Sequence, residues 1–194
     1  NYMGKGIRLD ASLEVTQERF TGLFSVYNPN FNYSDNSLQT TIRNTVTERM
    51  DNYGYESTNT GISIGTGFEQ YTDFRISPSF HIGYETLDTN QSATDNLKKQ
   101  EGSYFDTTLS YNLDYDKRNQ KFQTSDGFRS SYNINIPLVS EISTLTNSYF
   151  YNYYTELYED NISKLSLYFK AANSLKNKNV KLSERLYIPN RRLR

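Results

Sequence analysis

Few of the 194 residues could carry covalent or metal chemistry. The single histidine, His81, shares an alternating run with Ser79 and Gly83. With no cysteine in the chain, neither a second imidazole nor a thiolate is there to complete a metal set or to be activated as a nucleophile. His81 therefore reads as a solvated residue of a polar strand face. Asp114 and Asp116 would share one strand face, about 6.5–7 Å apart along it, where they could mimic a carboxylate dyad. No activated nucleophile accompanies them, and a polar wall is the simpler reading. No serine, histidine and acid are anchored together to an acyl-transfer motif. Gly61, Gly65 and Gly67 lead into no helix, so they form no phosphate-binding loop. The expectation is a protein that is not an enzyme and holds neither metal nor cofactor.

The elements that position these residues are strands. From Phe105 to Tyr115 the odd residues Phe105, Thr107, Leu109, Tyr111, Leu113 and Tyr115 oppose Asp106, Thr108, Ser110, Asn112 and Asp114, a period of two. After the polar turn 116–127, Phe128, Tyr132, Ile134 and Ile136 oppose Arg129, Ser131, Asn133 and Asn135, with Ser130 the one small residue on the apolar side. The same alternation begins at Gly6 with Ile7, Leu9, Ala11, Leu13 and Val15, and returns after Gln17-Glu18 through Phe20, Gly22, Phe24 and Val26. Further strands are expected at 37–49, 60–70, 75–87, 146–159 and 162–175. They are separated by the Pro29-containing turn, a polar connection 50–59, a short turn at 71–73 and a long polar, mobile loop 88–102. The glycines of 61–67 either make room for a neighbouring group or bend the sheet. Tyr149, Phe150, Tyr151, Tyr153, Tyr154 and Tyr158 look too dense for plain alternation and suggest an interfacial aromatic girdle.

Composition bounds the solvent of these sheets. Hydrophobic residues make up 35% of the chain while Tyr and Phe number 18 and 11, so the payload is aromatic and no deep core is planned. No run of eighteen apolar residues occurs, which excludes a membrane-spanning helix but not membrane strands, which need only about 9–11 residues each. A net charge of −1 makes nucleic acid an unexpected partner. Residues 1–6 do not read as a targeting segment. The fold class expected is all-β: an antiparallel up-and-down meander of about nine strands, part of a larger transmembrane β-barrel. Closed single-chain bacterial barrels have even strand numbers, so nine strands with unpaired outer edges read as an arc of one. A soluble all-β binding protein is the competing class.

Several stretches resemble one family. Asp116-x-Arg118-Asn119 followed by Phe122, Thr124 and Gly127 is similar to the Asp-x-Arg…Thr-x-Gly turn of the bacterial surface antigen and outer-membrane insertase superfamily, the family of the assembly factor BamA. Asn28-Pro29-Asn30-Phe31 looks like its Asn-Pro-x-Phe periplasmic turn, and residues 1–6 like its aromatic Gly-x-Gly turn. Residues 185–194, ending Leu193-Arg194, resemble the entry to its inward-folded loop, whose signature is an apolar residue before Arg-Gly-Phe; Gln123, Pro189 and Asn190 depart from the usual residues. The resemblance covers essentially the whole chain. It implies a partial outer-membrane barrel domain over 1–194, with periplasmic domains and the first and last barrel strands lying outside it. It implies a component of the outer-membrane assembly machinery that folds and inserts β-barrel proteins. Its expected partners are membrane lipid, unfolded outer-membrane protein clients and periplasmic accessory lipoproteins, and its location is the bacterial outer membrane. A two-partner-secretion or translocation pore, or a passive channel, is the alternative. Under the resemblance Arg194, preceded by Leu193, would anchor the lumen loop through its guanidinium fork, and Asp116 to Gly127 would lie at the periplasmic rim.

Overall fold

The computed structural model describes residues 6–140, 143–158 and 161–175. Its strands are β1 Arg8–Val15, β2 Arg19–Asn28, β3 Ser37–Arg49, β4 Tyr55–Tyr71, β5 Phe74–Thr89, β6 Gly102–Asp116, β7 Gly127–Ser140, β8 Thr144–Tyr158 and β9 Asn161–Ser174. They form one sheet in chain order, β1 to β9. This is the antiparallel meander that the alternation implies. No described helix is long and apolar enough to cross a membrane.

By internal packing the chain resolves into two compact units, one of Asn1–Phe68, Ser77–Ser110 and Pro137–Glu141, the other of Glu69–Ile76, Tyr111–Ile136 and Ile142–Arg194. In the first, register keeps like residues together. Ala11 faces Phe24, Phe24 faces Ile42 and Ile42 faces Ile62, so an apolar row runs across β1 to β4; Asp10, Ser25, Thr41 and Ser63 form a matching polar row. Because opposed side chains share a face, each strand's alternation is added to its neighbour's. In the second unit the same rule lays Phe128, Tyr153 and Leu165 in one row across β7 to β9, and Tyr132, Tyr149 and Phe169 in another.

Burial is inverted relative to a water-soluble domain. Among the described residues the buried apolar side chains are Leu87, Ala93 and Leu97, whereas Leu13, Val15 and Phe169 are 70, 66 and 63% exposed. Ser25, Glu85, Thr107, Thr144 and Asn152 are buried. Exposed apolar rows of this extent mark a surface made for a partner or a membrane.

Three local expectations are corrected. The connection after β3 ends at Gly54, not at Asn59. Gly54 adopts φ 73° behind the single turn α1, Met50–Tyr53, so β4 starts at once and Glu56 already pairs with Glu48. Polar residues extend a strand here because the ladder is backbone and asks nothing of the side chain. The 88–102 connection is not a plain polar loop. β5 runs to Thr89, α2 spans Asp95–Lys98, and Ala93 and Leu97 are buried at 6 and 8% exposure. Asn90 ties it to the α1 turn, its backbone N–H donating to Gly54 O at 2.8 Å and its side-chain amide to Met50 O at 3.2 Å. The tyrosines of β8, finally, obey plain alternation: Tyr149, Tyr151 and Tyr153 oppose Tyr132, Ser130 and Phe128, while Phe150 and Tyr154 oppose Ser131 and Gly127 on the other face. Both faces are aromatic, which is why the run looked unperiodic.

Candidate functional site

The most elaborated polar structure lies at the β6–β7 turn, residues 117–126, and is built from backbone upward. Lys117 N–H donates to Phe128 O at 2.8 Å and Asn119 N–H to Asp126 O at 3.1 Å, closing the base of the turn. Gly127 sits at φ +97°, and a Cβ there would collide with the Lys117 carbonyl and stand 2.9 Å from the Cα of Arg118. Only glycine lets the chain return at that point. Asn119 then organises the loop: its Oδ1 accepts from the N–H groups of Gln120, Ser125 and Asp126 at 2.9, 3.3 and 3.3 Å, and its Nδ2 donates to Ser125 Oγ at 2.6 Å. Thr124, itself buried, donates to Gln120 O at 2.7 Å.

Arg118 closes the turn against the sheet. Its Nε and Nη2 both donate at 2.7 Å to the carboxylate of Asp116, a bidentate fork in a site where the two side chains are 13 and 20% exposed. Asp116, by hydrogen bond and charge, holds the Arg118 guanidinium above its ordinary pKa, with a smaller contribution from the nearby Tyr154. Tyr154 lies on the polar face beside Asn152, whose Nδ2 donates to the tyrosine oxygen at 3.4 Å and whose Oδ1 accepts from Ser166 at 2.7 Å. Lys164 stands 5.6 Å over the Tyr154 ring. Arg118 thus adjoins β8 at Tyr154, and β9 meets that same tyrosine through Lys164.

The Asp114 and Asp116 carboxylates do not act as a pair. Arg129 takes Asp114 for itself, with Nε and Nη2 at 2.9 and 3.2 Å, so each acid holds its own guanidinium. His81 likewise fills space: Cβ atoms added to Gly61 or Gly83 would run into its imidazole, and one on Gly65 would stand 2.9 Å from Ser79 Cβ. Gly61 and Gly65 of β4 thus make room for side chains of β5, the neighbouring strand. No cluster of metal ligands occurs among the described residues.

Asp116, Arg118, Asn119, Thr124 and Gly127, the residues picked out from sequence, are gathered into this one turn. Asn28 and Pro29 form a separate one, where Asn28 Oδ1 accepts from Asn30 N–H at 3.2 Å. Leu193 and Arg194 lie outside the described residues. Sequence reading missed the Arg129–Asp114 and Arg118–Tyr154 contacts, and also the Lys117–Asp73 bridge of 2.7 Å. Opposite charges on facing runs were the available signal for the first of these; the other two needed the fold.

A family model described as the Omp85 superfamily domain matches residues 1–191. The chain belongs to the Omp85 superfamily. Among solved structures it is similar to BamA from Haemophilus ducreyi, crystallised without POTRA domains 1–3, with a TM-score of 0.76 and 16% sequence identity over 91% of this chain and 37% of that one. The likeness is one of fold: an Omp85 barrel wall as an up-and-down strand meander. The chain spans little more than a third of that protein's length. No curated protein matches the sequence. Family and fold together imply an outer-membrane β-barrel setting.

Proposed function

We propose that this chain is wall of an outer-membrane insertase, a protein that folds and inserts other β-barrel proteins without bond chemistry. The observation that carries this reading is the inverted burial of an Omp85-type meander: apolar rows exposed and polar rows turned to the other face. In hydrocarbon every backbone polar group needs a partner, and long antiparallel ladders such as β2–β3, β3–β4 and β8–β9 supply it within the sheet. On this reading the apolar rows meet lipid and the polar face lines a wet interior. Connections after even-numbered strands, the Asn28–Pro29 and β6–β7 turns among them, would face the periplasm, and residues 90–101 the exterior. Its partners would be lipid, unfolded client barrels and periplasmic accessory lipoproteins, with Arg194 anchoring a loop in the lumen. The superfamily match and the likeness in fold to a BamA barrel support this reading; a secretion or translocation pore of the same superfamily, or a passive channel, is the alternative.

The test is reconstitution. Full-length protein in phosphatidylethanolamine vesicles should accelerate the folding of a separately denatured client barrel, read as heat-modifiable migration. Equal folding rates with and without it, together with ion conductance, would point to a channel instead; recovery in the soluble fraction without detergent would sink the barrel reading altogether.

A further inference from the structure

The apolar face carries a notch that its alternation does not explain. Tyr71, Phe74, Leu113, Tyr115 and Tyr132 surround Ser130, enclosing about 540 Å³ of open space. The aromatic walls brace one another: Tyr71 stacks on Phe74 at 6.5 Å, Phe74 meets Tyr115 edge-on at 6.3 Å, and Tyr115 meets Phe128 at 5.5 Å. Rings held this way do not collapse into the space. Ser130 is what opens it. Its neighbours on the face along β7 are Phe128 and Tyr132, and its β8 partner is Tyr151, so a large side chain there would make the face continuous. Its hydroxyl donates to Tyr149 at 3.1 Å, which satisfies it within the face and leaves a floor that an apolar chain tolerates. The mouth is charged in both signs. Asp73, between Thr72 and Phe74 of the lining, bridges Lys117 at 2.7 Å, and the Lys117 ammonium stands 5.8 Å over the Tyr115 ring. Both side chains remain partly exposed, at 43% for the lysine and 38% for the aspartate.

We infer that this notch holds one acyl chain of a zwitterionic phospholipid, whose phosphate meets Lys117 and whose ammonium meets Asp73. The inference rests on the reading of the apolar face as lipid-facing. A tail leaving bulk lipid gains no hydrophobic free energy, since it exchanges one oil for another; retention must come from packing against the rings and from the paired charges at the mouth. A net-neutral pair of opposite charges matches a zwitterion and offers an anionic headgroup one favourable and one unfavourable contact.

The experiment places the full-length protein in vesicles carrying a trace of phosphatidylethanolamine with a photoactivatable diazirine on its acyl chain, and maps the cross-links by mass spectrometry. The expected labels concentrate on Leu113, Ser130 and Tyr132 over the plain apolar row of Phe24, Ile42 and Ile62. They should fall roughly three- to fivefold, the scale of lost packing and one polar contact, when the probe is phosphatidylglycerol or when the notch is filled by Ser130→Phe. Ser130→Ala, which keeps the notch open, should label like the unsubstituted protein. Equal labelling of notch and plain row, or equal labelling by the two headgroups, overturns the proposal, and the headgroup comparison needs no variant to fold. Absence of label from the plain row as well would instead overturn the lipid-facing reading beneath it.

Discussion

Two connections of similar length solve the same problem by different means. Residues 90–101 hold themselves with apolar burial: Ala93 and Leu97 are buried, as is Leu87 of β5, and the α2 turn carries one of these side chains. Residues 117–126 have no buried apolar side chain among them, and Phe122 at the tip is 87% exposed. Their order comes from hydrogen bonds centred on Asn119 and from the Arg118–Asp116 fork. Apolar burial is non-directional and tolerates repacking. A hydrogen-bonded turn is directional, so each residue is held to one conformation, and each loss leaves a group unsatisfied. The lesson is that a motif with fixed residue types belongs to the second kind of connection, because geometry rather than volume selects its members.

The comparison can be broken first at its glycines. Gly127→Ala should destabilise the barrel by about 3 kcal/mol or more, since positive φ and a backbone collision act together; urea unfolding of the protein folded in lipid would show it, and a shift below about 1 kcal/mol would mean that the turn re-forms another way. Leu97→Ala should cost about 2–3 kcal/mol by leaving a cavity. Its effect should be confined to 90–101 and the α1 turn, visible as local loss of amide protection there with the β6–β7 turn unchanged. Asp116→Ala, which strands a largely buried guanidinium, should cost about 1–3 kcal/mol, and Asn119→Ala about 1–2 kcal/mol. A conservative Leu97→Met is then the sharper contrast, because it should be nearly silent while Arg118→Lys, which loses the fork, should not. The smallest effect belongs to Lys117. Asp73 raises its pKa above the ordinary lysine value, so whatever the bridge contributes is fully present below that ordinary value and is lost only as pH rises through the raised one. Lys117→Ala should leave the unfolding midpoint near neutral pH within error, and a clear shift would show that this exposed bridge matters to folding.

Much of the fold was legible because its signal is local. Leu9, Ala11, Leu13 and Val15 announce a strand and its face with no knowledge of any partner, and the turn residues around Asn119 and Gly127 are chosen by conformations that span only a few residues. Strand limits were less legible: Tyr55 to Asn59 is polar on both faces and carried no periodic mark, yet pairs fully with β3. The roles of Arg129 and Ser130 were only faintly legible, for a different reason. Arg129 needed the β6–β7 register to meet Asp114, and Ser130 looked like a lapse in an apolar face until the rings of β4, β5 and β6 were seen around it.

The sequence by itself determined that this is a strand meander with one apolar and one polar face and, outside 55–59 and the tyrosine-rich run of β8, which residues belong to each, because a period of two is written in neighbouring residues. Tertiary structure decided which acid holds which arginine, that 90–101 folds over its own small core, and that a notch interrupts the apolar face. Those depend on residues brought together by strand register and connection length, and no stretch of the chain contains them alone.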